Sequence, residues 1–138
     1  MKRIIMFILL IVSGLIYCQS LQSSDLEDFV TSQTIEEISN TMTSKGFVKS
    51  EELQNDLLYT NFKKDDERIT LVVNNQLFSV VYKTNVSNAV TKANSFISMG
   101  YKYSHTYRNN EYYDSSDMRI GLNRINGILT LIKHLRSQ

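Results

Sequence analysis

The sequence predicts an α+β fold in which a unit of one helix followed by antiparallel strands (α-β-β-β, with a fourth strand) occurs twice. Three observations support this fold class. Hydrophobic periodicity switches between helical spacing and alternation, glycine ends two helical segments, and short turn-forming segments separate the strands. We expect one sheet of six to eight strands with both helices of the repeated unit on one face.

Two similar segments, 42–50 and 96–104, indicate the repeat. In each, a helical stretch meets a glycine, Gly46 or Gly100, and an aromatic residue then begins a strand. Glycine suits the left-handed conformation in which many helices end. We therefore expect repeats at about 34–84 and 86–135, the alternative being two unrelated α+β halves.

The closing strands of the two repeats can also be aligned. At an offset of 50 residues, Val80 and Tyr82 correspond to Thr130 and Ile132.

The first eighteen residues have the pattern of a secretory signal peptide. A basic start, Met1-Lys2-Arg3, precedes an apolar stretch at 4–17. This stretch is shorter than the roughly 20 residues that span a bilayer. We expect a signal peptide at 1–18 and one periplasmic or secreted domain at 19–138, without a membrane span. Cleavage after Ser20, an uncleaved anchor and lipid attachment at Cys18 are the alternatives.

Composition excludes several kinds of site. Cys18 is the only cysteine, so the predicted mature domain has no thiolate metal site, catalytic cysteine or redox pair. We expect no cofactor and no metal. The near balance of 15 basic and 14 acidic residues argues against nucleic-acid binding.

Charge is unevenly distributed along the chain. Residues 25–67 contain eleven acidic and four basic residues, whereas 68–138 contain three and nine. Such halves could attract each other or an external partner, and the alternative is two solvated surfaces.

Helices are predicted at 25–32, 35–45 and 86–99. Ser24 with Glu27, and Thr34 with Glu37, match the capping-box pattern, and Asn85 suits the start of the third helix. A single bent helix is the alternative for the first two. Strands are predicted at 47–51, 57–63, 68–74, 77–84, 101–108, 111–114, 117–123 and 127–135. We expect turns at 64–67, 74–76, 109–110, 115–116 and 124–126.

The closing strands, 77–84 and 127–135, are apolar on both sides rather than alternating. Helices cover one face of the sheet, so the other face needs the N-terminal segment 21–32, curling of the sheet, or a partner such as a second copy.

Strand alternation predicts an aromatic row at the start of the second repeat. Tyr101, Tyr103, His105 and Tyr107 are expected on one face. The candidate ligand or partner site comprises five residues: Tyr103, His105, Tyr107, Tyr112 and Tyr113. The alternative is aromatic pairing that only stabilises the sheet.

These features favour a non-enzymatic exported domain that binds a protein, peptide or small ligand through the helix-free sheet face. An inhibitor or immunity-type partner of an exported enzyme is one alternative. A small periplasmic hydrolase or lyase with His105 as general base is another. The expected layout resembles that of the tandem-repeat β-lactamase inhibitors, although no motif is shared.

Overall fold

The structure, a computed structural model, describes residues 21–54, 57–73 and 78–133. These form three helices and one open antiparallel sheet of eight strands. The helices are α1 (Ser23–Thr31), α2 (Ile35–Ser44) and α3 (Val86–Ser98). The strands are β1 (Val48–Gln54), β2 (Leu57–Lys64), β3 (Glu67–Val73), β4 (Phe78–Lys83), β5 (Lys102–Tyr107), β6 (Asn110–Asp114), β7 (Met118–Asn123) and β8 (Ile128–Lys133). The predicted signal peptide, the turn at 74–76 and the last two residues of the strand predicted at 127–135 lie outside the described residues.

The sheet consists of two four-stranded meanders joined at their last strands. Its spatial order is β1-β2-β3-β4-β8-β7-β6-β5, and β4 pairs antiparallel with β8. The prediction of one antiparallel sheet of six to eight strands in an α+β fold is therefore confirmed, and β1 and β5 form its two edges.

The two predicted glycine stops are confirmed. Gly46 and Gly100 have φ angles of 85° and 103°. The Phe47 N–H donates to the Met42 carbonyl, and the Tyr101 N–H donates in the same way to the Phe96 carbonyl, at 3.0 and 3.1 Å. This is the Schellman ending, which satisfies carbonyls that the last helical turn leaves free.

Of the two capping boxes predicted at helix starts, the structure contains one. The capping box at α2 is confirmed, because the Thr34 N–H donates to Glu37 at 2.7 Å and the Glu37 N–H donates to Thr34 Oγ1. The one at Ser24 is wrong: α1 already begins at Ser23, and the N–H of Gln22 donates to Asp25.

Buried strand side chains define one face of the sheet, here called the core face. Its fully buried members follow the cross-strand register and are Phe62, Ile69, Leu71, Val80, Tyr82, Ile120, Leu122, Leu129 and Leu131. Side chains from the helices complete the same hydrophobic cluster. These are Leu26, Phe29, Val30, Ile38, Met42, Ala89, Ala93 and Phe96.

The N-terminal segment is fixed to α3 by a buried lysine. The Lys92 ammonium donates to the Leu21 carbonyl, and the Ser23 hydroxyl donates to the Lys92 carbonyl. Leu21 is itself fully buried in the hydrophobic cluster. Burial lowers the pKa of Lys92. The segment at 21–32 therefore contributes to the core cluster.

At the offset of 50 used to align the closing strands, buried positions do not correspond to buried positions. Val80 pairs with Leu131, and Tyr82 with Leu129, and all four side chains are buried. Thr130 alternates with these leucines and therefore lies on the opposite face. A slip of one residue exchanges the two faces of a strand, so an offset of 49 matches buried positions to buried positions.

Candidate functional site

A β-bulge in the edge strand β5 separates the residues predicted to form one aromatic row. Tyr103 pairs with Tyr113, but His105 pairs with Tyr112, and the register shifts between them. Ser104 is the extra residue. Because neighbouring residues of β6 point to opposite faces, Tyr103 lies on the core face and His105 on the other. The predicted single-faced row of Tyr101, Tyr103, His105 and Tyr107 is therefore wrong.

Tyr103 and Tyr113 form an edge-to-face pair on the core face. Their ring centroids lie 5.9 Å apart with an interplanar angle of 72°. The Tyr113 hydroxyl donates to Glu111 at 2.7 Å, and burial, reinforced by that carboxylate, raises the pKa of Tyr113. The Tyr103 hydroxyl lies 3.0 Å from Thr106 Oγ1. Tyr113 is buried, whereas Tyr103 at the sheet edge remains 60% exposed, and the pair has the cross-strand geometry that can stabilise a sheet.

The face opposite the core face is here called the outer face. Its members follow from the register, since directly opposed residues share a face. Its central row, from β1 to β5, is Ser50, Asn61, Thr70, Val81, Thr130, Gly121, Tyr112 and His105. The flanking rows include Tyr59, Val72, Ser79, Ile132, Arg119, Asp114 and Lys102 on one side, and Val48, Lys63, Arg68, Lys83, Ile128, Asn123, Asn110 and Tyr107 on the other.

His105 and Tyr112 stack on the outer face. Their ring centroids are 4.8 Å apart, with an interplanar angle of 20°. The Tyr112 ring also lies close over Gly121: a Cβ at that position would be 3.1 Å from Tyr112 Cε1. A glycine here allows the aromatic ring to cover the strand beneath it. The result is a flat aromatic surface beside the β5 edge.

Arg119 borders this surface. Its guanidinium carbon lies 5.8 Å from the Tyr112 ring centroid. It donates two hydrogen bonds to Asp114, at 2.7 and 2.9 Å, and these bonds raise the pKa of Arg119. Such bidentate pairing fixes the plane of the guanidinium. Tyr107 is 57% exposed, and the guanidinium carbon of Arg108 lies 5.3 Å from its ring centroid.

Four aliphatic side chains lie near the middle of the outer face, interspersed with Thr70, Thr130 and Ser79. Val72, Val81, Ile128 and Ile132 lie on the neighbouring strands β3, β4 and β8 and are all half-buried. In the middle of these strands the core-face side chains, Ile69, Leu71, Val80, Tyr82, Leu129 and Leu131, are fully buried, so the two faces differ clearly in exposure there. The prediction that the closing strands are apolar on both faces therefore holds for β8, whereas the outer face of β4 carries Ser79 and Lys83 beside Val81.

A row of cations on the outer face was not predicted. Lys63 pairs with Arg68, and Arg68 pairs with Lys83, so the three stand side by side on β2, β3 and β4. All three are exposed. Their positions in the chain give no sign of this, because only the strand register brings them together.

His105 lacks the surroundings of a general base. It is exposed in an edge strand, and its Nδ1 lies 3.0 Å from Ser104 Oγ. Within the described residues, no carboxylate is hydrogen-bonded to the ring. A catalytic imidazole normally has such an orienting group. In the same part of the chain, no group of three or more His, Cys, Asp or Glu could hold a metal ion.

Comparison with known proteins gives no relative: no protein-family model, no curated protein and no solved structure matches this chain. Among the described residues, no helix has both the length and the apolar character that crossing a bilayer requires.

Proposed function

We propose that this chain is an exported, non-enzymatic binding domain that holds a protein or peptide partner on its outer face. The observation that carries the proposal is the half-exposed apolar centre of that face, formed by Val72, Val81, Ile128 and Ile132. Apolar side chains gathered on a sheet face that remains accessible can mark an interaction site. The aromatic stack of His105 and Tyr112 adds flat surfaces suited to an interface.

The placement of the helices supports this proposal. Helix α1 contacts β4, β8 and α3, whereas α3 contacts β7 and β8, and α2 contacts β1. Their buried side chains join one cluster with the core-face residues of the strands. On this interpretation all three helices lie on the core face. None of the described elements then remains to cover the outer face.

We also propose that the domain is a tandem duplication. The two Schellman endings at Gly46 and Gly100 use equivalent bonds. At an offset of 49 residues, Leu71 corresponds to Ile120 and Tyr82 to Leu131, and all are buried. Duplication would explain why two meanders join at β4 and β8 into a sheet wider than either alone. The outer face is where the halves differ most, basic in the first and aromatic in the second.

The proposal can be tested by position-resolved cross-linking in the source cell. A photoreactive phenylalanine analogue would replace Thr70 or Thr130 on the outer face. Matched controls would replace Thr43 on α2 and Thr91 on α3, both exposed threonines. We expect both outer-face positions to capture the same protein, identified by mass spectrometry. Equal capture from all four positions, or no capture from the outer face, would overturn the proposal.

The inhibitor or immunity-type alternative is a special case in which the partner is an exported enzyme. The row of exposed cations on β2 to β4 favours it to the extent that the partner is acidic. Identification of an enzyme in the cross-linked complex, followed by loss of that enzyme's activity on adding the domain, would establish it.

A further inference from the structure

We propose that an acidic segment of a protein partner binds across Lys63, Arg68 and Lys83, here called the basic row. This inference rests on the proposed function and adds the chemistry of the partner. It places the electrostatic part of the interface on the first half of the outer face, beside the apolar centre.

The register makes the basic row unusual. Arg68 lies directly between Lys63 and Lys83 in neighbouring strands. Adjacent strands are about 4.8 Å apart, so three positive charges occupy a strip about 10 Å wide. Like charges directly opposite each other destabilise a sheet. The folded chain alone gains nothing from this arrangement, whereas a bound anionic group would relieve the repulsion.

Several cations elsewhere in the domain are paired with carboxylates. Lys49 lies 2.7 Å from Glu51, Arg124 lies 2.7 Å from Glu111, and Arg119 is bound to Asp114. Within the described ranges, none of the three basic-row side chains makes a salt bridge. The basic row therefore groups three cations that are available to a ligand, whereas the second half of the outer face carries Lys102 beside the paired Arg119.

The acidic side chains lie mainly on the other side of the molecule. The three helices carry five acidic residues and one lysine. The outer face carries five basic residues (Lys63, Arg68, Lys83, Lys102, Arg119) and two acidic ones (Glu52, Asp114). The charge asymmetry visible along the sequence is thus also an asymmetry between faces. It orients an acidic partner toward the outer face.

A protein segment fits this surface better than a nucleic acid or an anionic membrane. The basic row adjoins half-buried Val81 and Ile128, and an acidic protein segment offers both carboxylates and apolar side chains. A polyanion would meet a narrow basic strip and strong repulsion from the acidic helices. A second copy docking its acidic helices would make a head-to-tail contact, which produces open chains unless the rotation closes.

A groove at the end of the basic row gives the segment a path. It has a volume of about 600 Å³ and is lined by Gly46, Val48, Ser50, Lys63, Lys64 and Asp65. Val48 and Ser50 belong to the outer face, and Val48 is directly opposite Lys63. The groove therefore continues the basic row toward the β1 edge.

The test uses a defined probe. Nuclear magnetic resonance titration would follow the domain with an acetylated, amidated hexapeptide of alternating Glu and Thr, and with its Gln counterpart. We expect the acidic peptide to bind at least about tenfold more tightly, a difference that a few charge-assisted contacts supply. Shifts should map to β2, β3 and β4, and affinity should fall as salt rises.

Two variants with equal charge change separate local from overall electrostatics. Lys63→Gln/Arg68→Gln/Lys83→Gln removes the basic row, whereas Lys49→Gln/Arg124→Gln/Lys133→Gln removes three cations outside the outer face. The first should lose at least about tenfold in affinity and the second less than about twofold. Equal losses would overturn the inference, and so would preference for duplex DNA, phosphatidylglycerol vesicles or a second copy. Arg68→Gln alone serves if the triple variant does not fold.

The cross-linking experiment distinguishes the two proposals. With the basic row replaced, capture by the photoreactive group at Thr130 should be lost. Capture that persists would show that the outer face binds a partner without the basic row, so that only the further inference fails. Absence of capture from the unaltered protein would contradict the proposed function instead.

Discussion

Tyr103 and His105 lie on opposite faces of the sheet although a single residue separates them. In a regular strand, residues two apart share a face. The bulge at Ser104 inserts one residue opposite the Tyr112–Tyr113 step of β6, and this reverses the alternation. As a result, Tyr103 packs on Tyr113 whereas His105 stacks on Tyr112. The edge strand thus presents exposed side chains on both faces of the sheet.

Deleting Ser104 should leave the fold intact. Tyr103 and His105 would then alternate in a regular strand while keeping their partners Tyr113 and Tyr112. Bulges protect sheet edges from pairing with other chains, so we expect the deletion variant to self-associate as concentration rises. Light scattering after gel filtration would measure this. Deletion of Thr106 is the control. It would move Tyr107 to the opposite face of the sheet and should therefore unfold β5. A variant that remains monomeric at every concentration would refute the protective role of the bulge.

Replacing Arg68 by Gln should stabilise the protein. The substitution removes the central charge of three that face one another, and cross-strand charge pairs contribute about 0.2–1 kcal/mol each. Urea unfolding at low salt should therefore show a gain of that order, which disappears at 1 M salt as charges are screened. Arg124→Gln is the control and should lose stability, because it breaks the pair with Glu111. A stability loss in Arg68→Gln would contradict the account of the basic row.

Gly127 should tolerate no side chain. Its φ angle is 64°, and a Cβ would lie 2.2 Å from the Thr84 carbonyl oxygen. The same turn holds a hydrogen bond from the Thr84 N–H to the Gly127 carbonyl. Gly127→Ala should therefore lower the free energy of unfolding by more than about 3 kcal/mol, combining backbone strain with a clash.

Gly100 provides the comparison for Gly127. Its φ angle is 103°, but nothing lies within 4 Å of the position that a Cβ would occupy. Gly100→Ala should lower the free energy of unfolding by about 1–2 kcal/mol, which is the strain of a residue other than glycine in the left-handed conformation. Chemical denaturation of both variants would measure the difference. Equal losses would show that the contact with Thr84 does not limit the turn.

Stability should fall at alkaline pH because two buried tyrosines hold their protons. Burial raises the pKa of Tyr82 and of Tyr101, and hydrogen bonds to Glu67 and Glu27 add to the effect. The stabilisation from each tyrosine is fully present below the pKa of the unfolded residue, 10.0. It is lost as the pH rises from there toward the higher pKa of the folded protein. Each tyrosine should contribute at most about 1.4 kcal/mol per pH unit.

Urea unfolding between pH 8 and pH 11 would measure this alkaline slope. Tyr101→Phe should reduce it, because the unfolded state then has one tyrosine fewer to ionise. Lys92 opposes the effect. Because its pKa is lower in the folded protein than the ordinary value of 10.5, its contribution to stability increases as the pH rises toward 10.5. Tyr107→Phe is the control at an exposed position. The explanation fails if the two phenylalanine variants change the slope equally.

Helix and strand positions were predictable because their signals are local. The Thr34 and Glu37 pair, and the glycines after α2 and α3, satisfy backbone groups within one turn of their own position. The false capping box at Ser24 had the same local signal. There, Glu27 instead accepts a hydrogen bond from the distant Tyr101 hydroxyl at 2.7 Å, and Asp25 takes the capping role.

The candidate site was less predictable because it depends on register. A bulge leaves no clear mark in the sequence around Ser104, so the face of Tyr103 could not be derived from alternation. Lys63, Arg68 and Lys83 lie on three strands and become neighbours only through pairing. Of the five predicted site residues, the structure brings His105, Tyr107 and Tyr112 to the outer face and moves Tyr103 and Tyr113 to the core face.

The most direct test of the central claim is protection of the outer face in the source cell. The only cysteine, Cys18, lies in the predicted signal peptide, so a thiol introduced at Thr130 reports on that face and one at Thr91 reports on α3. Peptide-resolved mass spectrometry would give the alkylation rate at each site in the purified protein and in cells. We predict that both sites react in the purified protein and that Thr130→Cys alone is protected in cells, by at least about tenfold. An unreactive thiol at Thr130→Cys in the purified monomer, or equal reaction at both sites in cells, would contradict the claim that the outer face binds a partner.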